Sequence, residues 1–385
     1  MFVPKRASNR DRQVIKKSMN KLSIVPRQER FLFLACLAIF AGLLIAGLWP
    51  FQFRPANNVH WIDGQAGLRF DRYGIAYGQA PLFTPGGLLD FVKPFTIQLE
   101  LLPRDEPSYY LPRILSLYDA GGRELFILGQ WKSALNLSIL ERQRAYYLEY
   151  RETELGNFRK GAKRSIILSW GTTGLTVYAE GKPVFGRPGF GFSLLPENRD
   201  PAWLLLGNSP SGESPWRGDL LSLSFYAGAL SPKEIATPGV DPLVRYLFSE
   251  GSGTVSRGGG DPHYDLFIPP VFRAPVRHVL TPPWKVQEYD LSFWVDVGVN
   301  ILGFVPFGFT MSAWLRGASG RKYLPVAVLV ALAGAGISLL IELLQVYLPT
   351  RDSSLTDFMN NTLGAYLGAW LFRVCFTKDW RSSEG

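Results

Sequence analysis

The chain has 385 residues, of which 47% are hydrophobic, with 39 Gly, 28 Pro and a formal net charge of +9. This composition excludes a disordered chain, and the length leaves room for two domains. The charge does not mark a nucleic-acid-binding protein, because nine of the cations (Lys5, Arg6, Arg10, Arg12, Lys16, Lys17, Lys21, Arg27, Arg30) lie within residues 1–30, directly before an apolar span. A basic block in that place holds its end of the chain in the cytoplasm and attracts anionic lipid, so no nucleic-acid partner is expected.

Residues 31–49 (FLFLACLAIFAGLLIAGLW) carry no charge and are long enough to cross a bilayer as a helix. The apolar stretch exceeds that of a signal peptide, its basic region is long, and no A-x-A site follows, so an uncleaved anchor is expected. Cys36 and Cys375 both fall in apolar spans, which leaves the intervening domain without a thiol and independent of disulfides.

From about Gly67 to Tyr226, within a domain expected over residues 57–240, the sequence repeats short alternating runs broken by Gly, Pro or Asp. In FTIQLELL, Phe95, Ile97, Leu99 and Leu101 share one face, while Thr96, Gln98 and Glu100 share the other. This is the pattern of a half-buried antiparallel strand. RILSLYD, ELFILGQW, LNLSIL, AYYLEY, SIILSW, AWLLLGN and LLSLSFYAG repeat it, and Glu180-Gly181 in VYAEGKPV suits a tight hairpin. Many short strands at this spacing predict an all-β jelly-roll sandwich. The stretch Leu204–Ile235, preceded by GLTVYAEGKPV, resembles the laminin-G or concanavalin A-like jelly roll. The resemblance implies a closing short helix, for which Ser231, Pro232 and Glu234 supply a capping box with proline in the first turn.

That resemblance implies binding of carbohydrate or protein. The glycan-binding candidates are Trp131, Trp203, Trp216, Tyr109 and Tyr110, aromatics at strand ends or loops able to stack on sugar rings; the competing reading is that they fill the core. Some relatives bind Ca²⁺, but no dense Asp/Asn loop is visible and no other cofactor or metal motif is present. No carboxylate pair stands out for glycoside hydrolysis. Residues 241–290 read as an extracytoplasmic extension and linker, with the Gly-rich run near 251–260 a turn that lacks the G-K-[ST] of a phosphate loop.

Three further spans follow at about 292–315, 323–348 and 357–376, giving a bundle of about four transmembrane helices and a cytoplasmic tail, 377–385. With the N-terminus inside, the loop RGASGRK falls in the cytoplasm and the loop PTRDSSLT outside. The first carries Arg316, Arg321 and Lys322 without an acid, whereas the second balances Arg351 with Asp352. Both termini are therefore expected inside and the sandwich outside.

Each later helix has one polar side. Asp296 and Asn300 are four apart, Glu342 and Gln345 three apart, and Asp357, Asn361, Gly364 and Gly368 form one stripe whose glycines allow close helix contact. Pro306 is expected to kink its helix. The topology puts the polar groups at one depth, in an outer-leaflet layer, either as helix-packing hydrogen bonds or as a pocket for a lipid or glycan headgroup or a proton.

Asn300, Phe304, Pro306 and Gly308, then Glu342 and Gln345, then Asp357, Asn361, Gly364 and Gly368 resemble the VanZ-like integral membrane family, three motifs in order over residues 291–376. The resemblance implies a bacterial envelope protein of the inner membrane; the family takes its name from a member linked to resistance to the glycopeptide teicoplanin. This chain departs from it in that a jelly roll separates the first helix from the others. The expected function is recognition of an envelope glycan or envelope protein near the polar layer, in polysaccharide handling or glycopeptide resistance, with membrane lipids as partners. The alternative is a membrane-embedded enzyme on a lipid-linked glycan or phospholipid, with Glu342 or Asp357 as acid or base.

Overall fold

A computed structural model describes residues 27–106, 111–143, 148–157, 160–188, 200–283, 291–319, 323–349, 351 and 353–376. They fall into two compact units, one helical, the other spanning Gln52–His278 with Tyr347–Thr350. In chain order the elements are α1 (Arg27–Leu48), β1 (Val59–Trp61), β2 (Leu68–Phe70), β3 (Ala76–Gly78), β4 (Phe95–Pro103), β5 (Arg113–Tyr118), β6 (Glu124–Trp131), β7 (Ala134–Gln143), β8 (Leu148–Asn157) and β9 (Arg164–Gly171). There follow β10 (Gly174–Ala179), β11 (Lys182–Pro188), β12 (Trp203–Leu206), β13 (Gly218–Ala227), α2 (Pro232–Ile235), β14 (Val244–Tyr246), β15 (Val255–Ser256), β16 (Leu266–Phe267), α3 (Leu291–Ser319), α4 (Tyr323–Gln345) and α5 (Leu355–Phe376).

The strands form a jelly-roll-like sandwich of two antiparallel sheets. One runs β1-β2-β13-β4-β9-β10-β11 with β14 on β13, and the other β15-β16-β3-β12-β5-β6-β7-β8. Alternation dictates the core: Phe95, Ile97, Leu99 and Leu101 of β4 are buried against Leu115, Leu117, Phe126, Leu128 and Leu137 of the facing sheet, and Trp170 stacks on Phe95 at 5.0 Å. Glu180 and Gly181 have φ of +51° and +74°, the left-handed pair that joins β10 to β11. Ser231 Oγ accepts from Glu234 N while Glu234 Oε2 accepts from Ser231 N, closing the capping box of α2, and these bonds hold the Glu234 carboxyl below the ordinary range.

The stretch 241–290 is more than a linker, since β14 joins one sheet and β15 and β16 join the other. Beyond them, Phe272 and Val276 cover the outer face of the second sheet with Ile75, Tyr118, Leu205 and Trp203. Burial there, with Tyr77 nearby, pushes the Tyr118 phenol up to about 12. Entry and exit of the sandwich lie side by side: Asn57 N donates to Pro270 O and Phe272 N to Pro55 O, and the Asn57 amide exchanges two 2.9 Å hydrogen bonds with Ile75.

In the helical unit, Phe33 of α1 packs on Trp314 of α3 at 5.3 Å, and Gly47 of α1 lies against Ile341 of α4. Gly364 and Gly368 of α5 meet Ile301 and Val305 of α3, while Asn361 and Ala365 meet Ser338 and Gly334 of α4. These contacts make α1 and α4 run one way and α3 and α5 the other. Among the described residues three helices are long and apolar enough to cross a membrane, over Glu29–Leu48, Phe293–Arg316 and Tyr323–Gln345. The fourth expected span, α5, falls short of that apolarity, because Thr356, Asp357, Asn360, Asn361, Thr362 and Arg373 dilute its 22 residues. Pro306 lies inside α3, which continues through it as one helix, with Thr310 Oγ1 donating to the Pro306 carbonyl at 2.8 Å.

Candidate functional sites in the bundle and the sandwich

Ser338, Glu342 and Gln345, at offsets of four and seven, fall on one face of α4, and all three are buried. Ser338 Oγ accepts from Asn361 Nδ2 at 3.0 Å. One turn on, Glu342 Oε2 accepts from the Ser354 backbone N–H at 2.7 Å. Gln345 Nε2 donates to the Gly47 carbonyl near the end of α1, at 2.9 Å. The Asn361 Oδ1 and Gln345 Oε1 atoms are buried without a hydrogen-bond partner among the described residues.

Ser354 is also the cap of α5: its hydroxyl accepts from Asp357 N at 3.3 Å, which makes Asp357 the third residue of that helix. An acid in the first turn complements the positive end of the helix dipole. Glu342, Gln345 and Asn361 are therefore brought together with two serines that the spacing argument missed. The signal for one of them was present, since Ser354 and Asp357 form an S-x-x-D box ahead of an apolar run.

Asp296 and Asn300 do not complete this cluster. Asp296 is exposed on α3 and Asn300 half-buried, and among the described residues neither makes a side-chain hydrogen bond to Glu342, Gln345, Asp357 or Asn361. Equal depth does not fix direction around the helix. The seam of α3 against α5 runs through Ile301, Val305 and Gly308, centred about 150° round α3 from Asp296 at about 100° per residue. Gly308, Gly364 and Gly368 pack the helices as expected of small residues, each within 2.2 Å of a carbonyl oxygen, measured from where a Cβ would stand.

Of the aromatic candidates in the sandwich, Tyr109 and Tyr110 lie outside the described residues. Trp216 is 1% exposed, so no sugar reaches its faces; it is a core residue whose indole N–H donates to Gln130 Oε1 at 2.9 Å. Trp203 is half-buried beside Tyr118, 6.3 Å between centroids, within the outer-face cluster. Trp131, by contrast, is 38% exposed at the tip of the β6–β7 hairpin.

That tip is held from below. Gln130, fully buried, donates through Nε2 to Asp105 O at 2.7 Å and Lys132 O at 3.0 Å, so Trp216 fixes Gln130 and Gln130 fixes the hairpin. Beside it lie Lys132, its Nζ 5.9 Å from the Trp131 ring, and the Asp105–Arg217 pair at 3.5 Å. An exposed indole with a cation beside it can stack on a pyranose and offer a hydrogen-bond donor to its hydroxyls. Among the described residues no group of three His, Cys, Asp or Glu could hold a metal ion.

Residues 253–376 match the family model described as VanZ/LLP1, and residues 78–236 match that described as the Concanavalin A-like lectin/glucanases superfamily. Both resemblances read from the sequence hold, and the first match begins at 253, inside the sandwich unit, rather than at 291. No curated protein matches the sequence significantly. Among solved structures, a candidate carbohydrate-binding protein of Bacteroides ovatus is similar over 54% of this chain and 58% of its own, at 15% identity and TM-score 0.38. Trypanosoma rangeli sialidase is similar over 49% of this chain and 29% of its own, at 18% identity and TM-score 0.34. The SAP-like pentraxin of Limulus polyphemus is similar over 56% of this chain and 94% of its own, at 15% identity and TM-score 0.34. The chain thus spans less than two thirds of the first two. It is a membrane protein that carries a lectin-like sandwich.

Proposed function

We propose that this protein displays its sandwich on the extracytoplasmic side of a bacterial inner membrane and there recognises an envelope glycan through the Trp131 rim. The observation that carries the reading is the exposed indole of Trp131, with Lys132 Nζ 5.9 Å from its ring, on a lectin-type sandwich inserted between two membrane helices. Charge supports the sidedness. Arg30, Arg316 and Arg373 lie at the start of α1 and the ends of α3 and α5, the end of the bundle opposite the Glu342 cluster, and cytoplasmic ends collect cations.

Glu342 enters this reading as a structural group, since its carboxyl accepts from the Ser354 backbone N–H. The test is capture of purified envelope polysaccharides and lipid-linked glycans by the full-length protein in nanodiscs. Trp131→Ala should weaken capture at least tenfold, the loss of about 1.4 kcal/mol or more of stacking. Unchanged capture by Trp131→Ala, or capture of no glycan by the parent, refutes the assignment. Labelling of a cysteine introduced at the exposed Val184 by a membrane-impermeant reagent tests the sidedness.

A further inference from the structure

The inserted unit leaves the bundle after α1 and returns before α3, so two chain crossings connect it to the membrane helices. Both are gripped by one short corner, between α4 and α5. On the return side, Leu280 N donates to Ser353 Oγ at 3.0 Å, Thr281 N to Ser353 O at 2.8 Å, and Leu355 N to Thr281 O at 3.0 Å. Residues 280–281 thereby pair with 353–355 as a short ladder, and Glu342 holds that ladder from the helix side through Ser354 N. On the outgoing side, Gln345 Nε2 donates to Gly47 O at 2.9 Å, and Arg351 Nε to Trp49 O at 3.4 Å. Gly47 also lies so close to Ile341 that a Cβ there would stand 2.8 Å from it.

We propose that the α4–α5 corner is a clasp that fixes both crossings of the inserted domain, with Glu342 and Gln345 as its positioning residues. One carboxyl caps α5 and secures the return strand; one carboxamide, a turn further along the same face, secures the end of α1. The two crossings are far apart in sequence, and the corner couples them. Disturbing Glu342 releases the return strand and the first turn of α5 together, whereas disturbing Gln345 releases the end of α1 alone. This role does not depend on what the sandwich binds.

Hydrogen exchange of the full-length protein in nanodiscs tests it. Glu342→Ala should speed exchange in peptides covering 279–283 and 353–358 by about tenfold or more, the effect of losing one good hydrogen bond from a locally cooperative unit. Glu342→Gln keeps an acceptor for Ser354 N and should stay within about threefold of the parent. Gln345→Leu should act on residues 47–51 and leave 279–283 unchanged. A clasp is refuted if Glu342→Ala exchanges like the parent, or if Glu342→Gln loses protection as fully as Glu342→Ala, which would make charge rather than an acceptor the requirement. Should Glu342→Ala fail to accumulate, Ser353→Ala decides: it removes one hydroxyl, and unchanged protection at Leu280 would overturn the proposal.

Discussion

The seam between α3 and α5 offers the sharpest test of the bundle. A methyl group added at Gly308, Gly364 or Gly368 would lie 2.0, 2.2 or 2.1 Å from the carbonyl oxygens of Ala365, Ile301 and Val305. Comfortable contact needs about 3.5 Å. The obstacles are backbone atoms, which have no rotamer to escape into, so each substitution must push two helices apart by about an ångström. Overpacking of this kind costs about 1–3 kcal/mol. Gly298 and Gly303 on α3 and Gly336 on α4 have nothing within 4 Å of the added carbon. There, Gly→Ala should gain up to about 1 kcal/mol of helix propensity. The two sets should separate by about 2–4 kcal/mol. Unfolding of the purified protein in mixed micelles with a rising fraction of denaturing detergent measures the difference. If Gly364→Ala and Gly368→Ala unfold at or above the midpoint of Gly298→Ala, the close crossing does not exist.

Two further outcomes concern the sandwich. Trp216→Ala should cost about 3–5 kcal/mol, the range for emptying a large buried side chain, whereas Trp131→Ala should stay within about 0.5 kcal/mol; denaturant unfolding of the sandwich distinguishes them. Tyr118, pushed up to about 12 by burial and by neighbouring Tyr77, stays protonated when folded after the unfolded chain has lost its proton near 10. Its stabilisation is complete below pH 10 and is lost as pH rises from 10 through 12, on the order of 2–3 kcal/mol in all. Tyr118→Phe should therefore flatten the alkaline decline of stability over that window, and an unaltered slope would refute the assignment.

Local features were legible in the sequence where a few adjacent residues decide the outcome. The alternation of β4, the left-handed pair Glu180-Gly181 and the Ser231–Glu234 box each follow from neighbours within four positions, as did the small-residue stripe Gly364–Gly368. What escaped the sequence depends on distant partners. Trp216 looks like any loop-end tryptophan until Gln130, 86 residues away, accepts its N–H. Trp131 is free because the hairpin turns it outwards, and nothing in ELFILGQW says so. Asp296 lies on the side of α3 turned from α5, since a four-residue spacing fixes which residues share a face but not which helix that face meets.

The same limit explains why Glu342 invites a catalytic reading from sequence and a supporting one from structure. Hydrocarbon offers no partner to a backbone N–H, so irregular chain at the end of a bundle must find acceptors within the protein. Residues 279–283 and 353–354 are such chain, and the Ser354 N–H has left the helical ladder without yet entering the next one. A carboxyl on the last full turn of α4 meets that donor at 2.7 Å. An apolar side chain there would orphan a buried donor, at a cost of about 1–3 kcal/mol. Placing an acid within a turn of the helix end costs less than placing it at mid-membrane, about 3 kcal/mol on insertion scales. Polarity at this position thus follows from the irregular chain it meets: where backbone leaves a helix at the end of a bundle, a side chain on the neighbouring helix must supply the acceptor that the helical ladder no longer does.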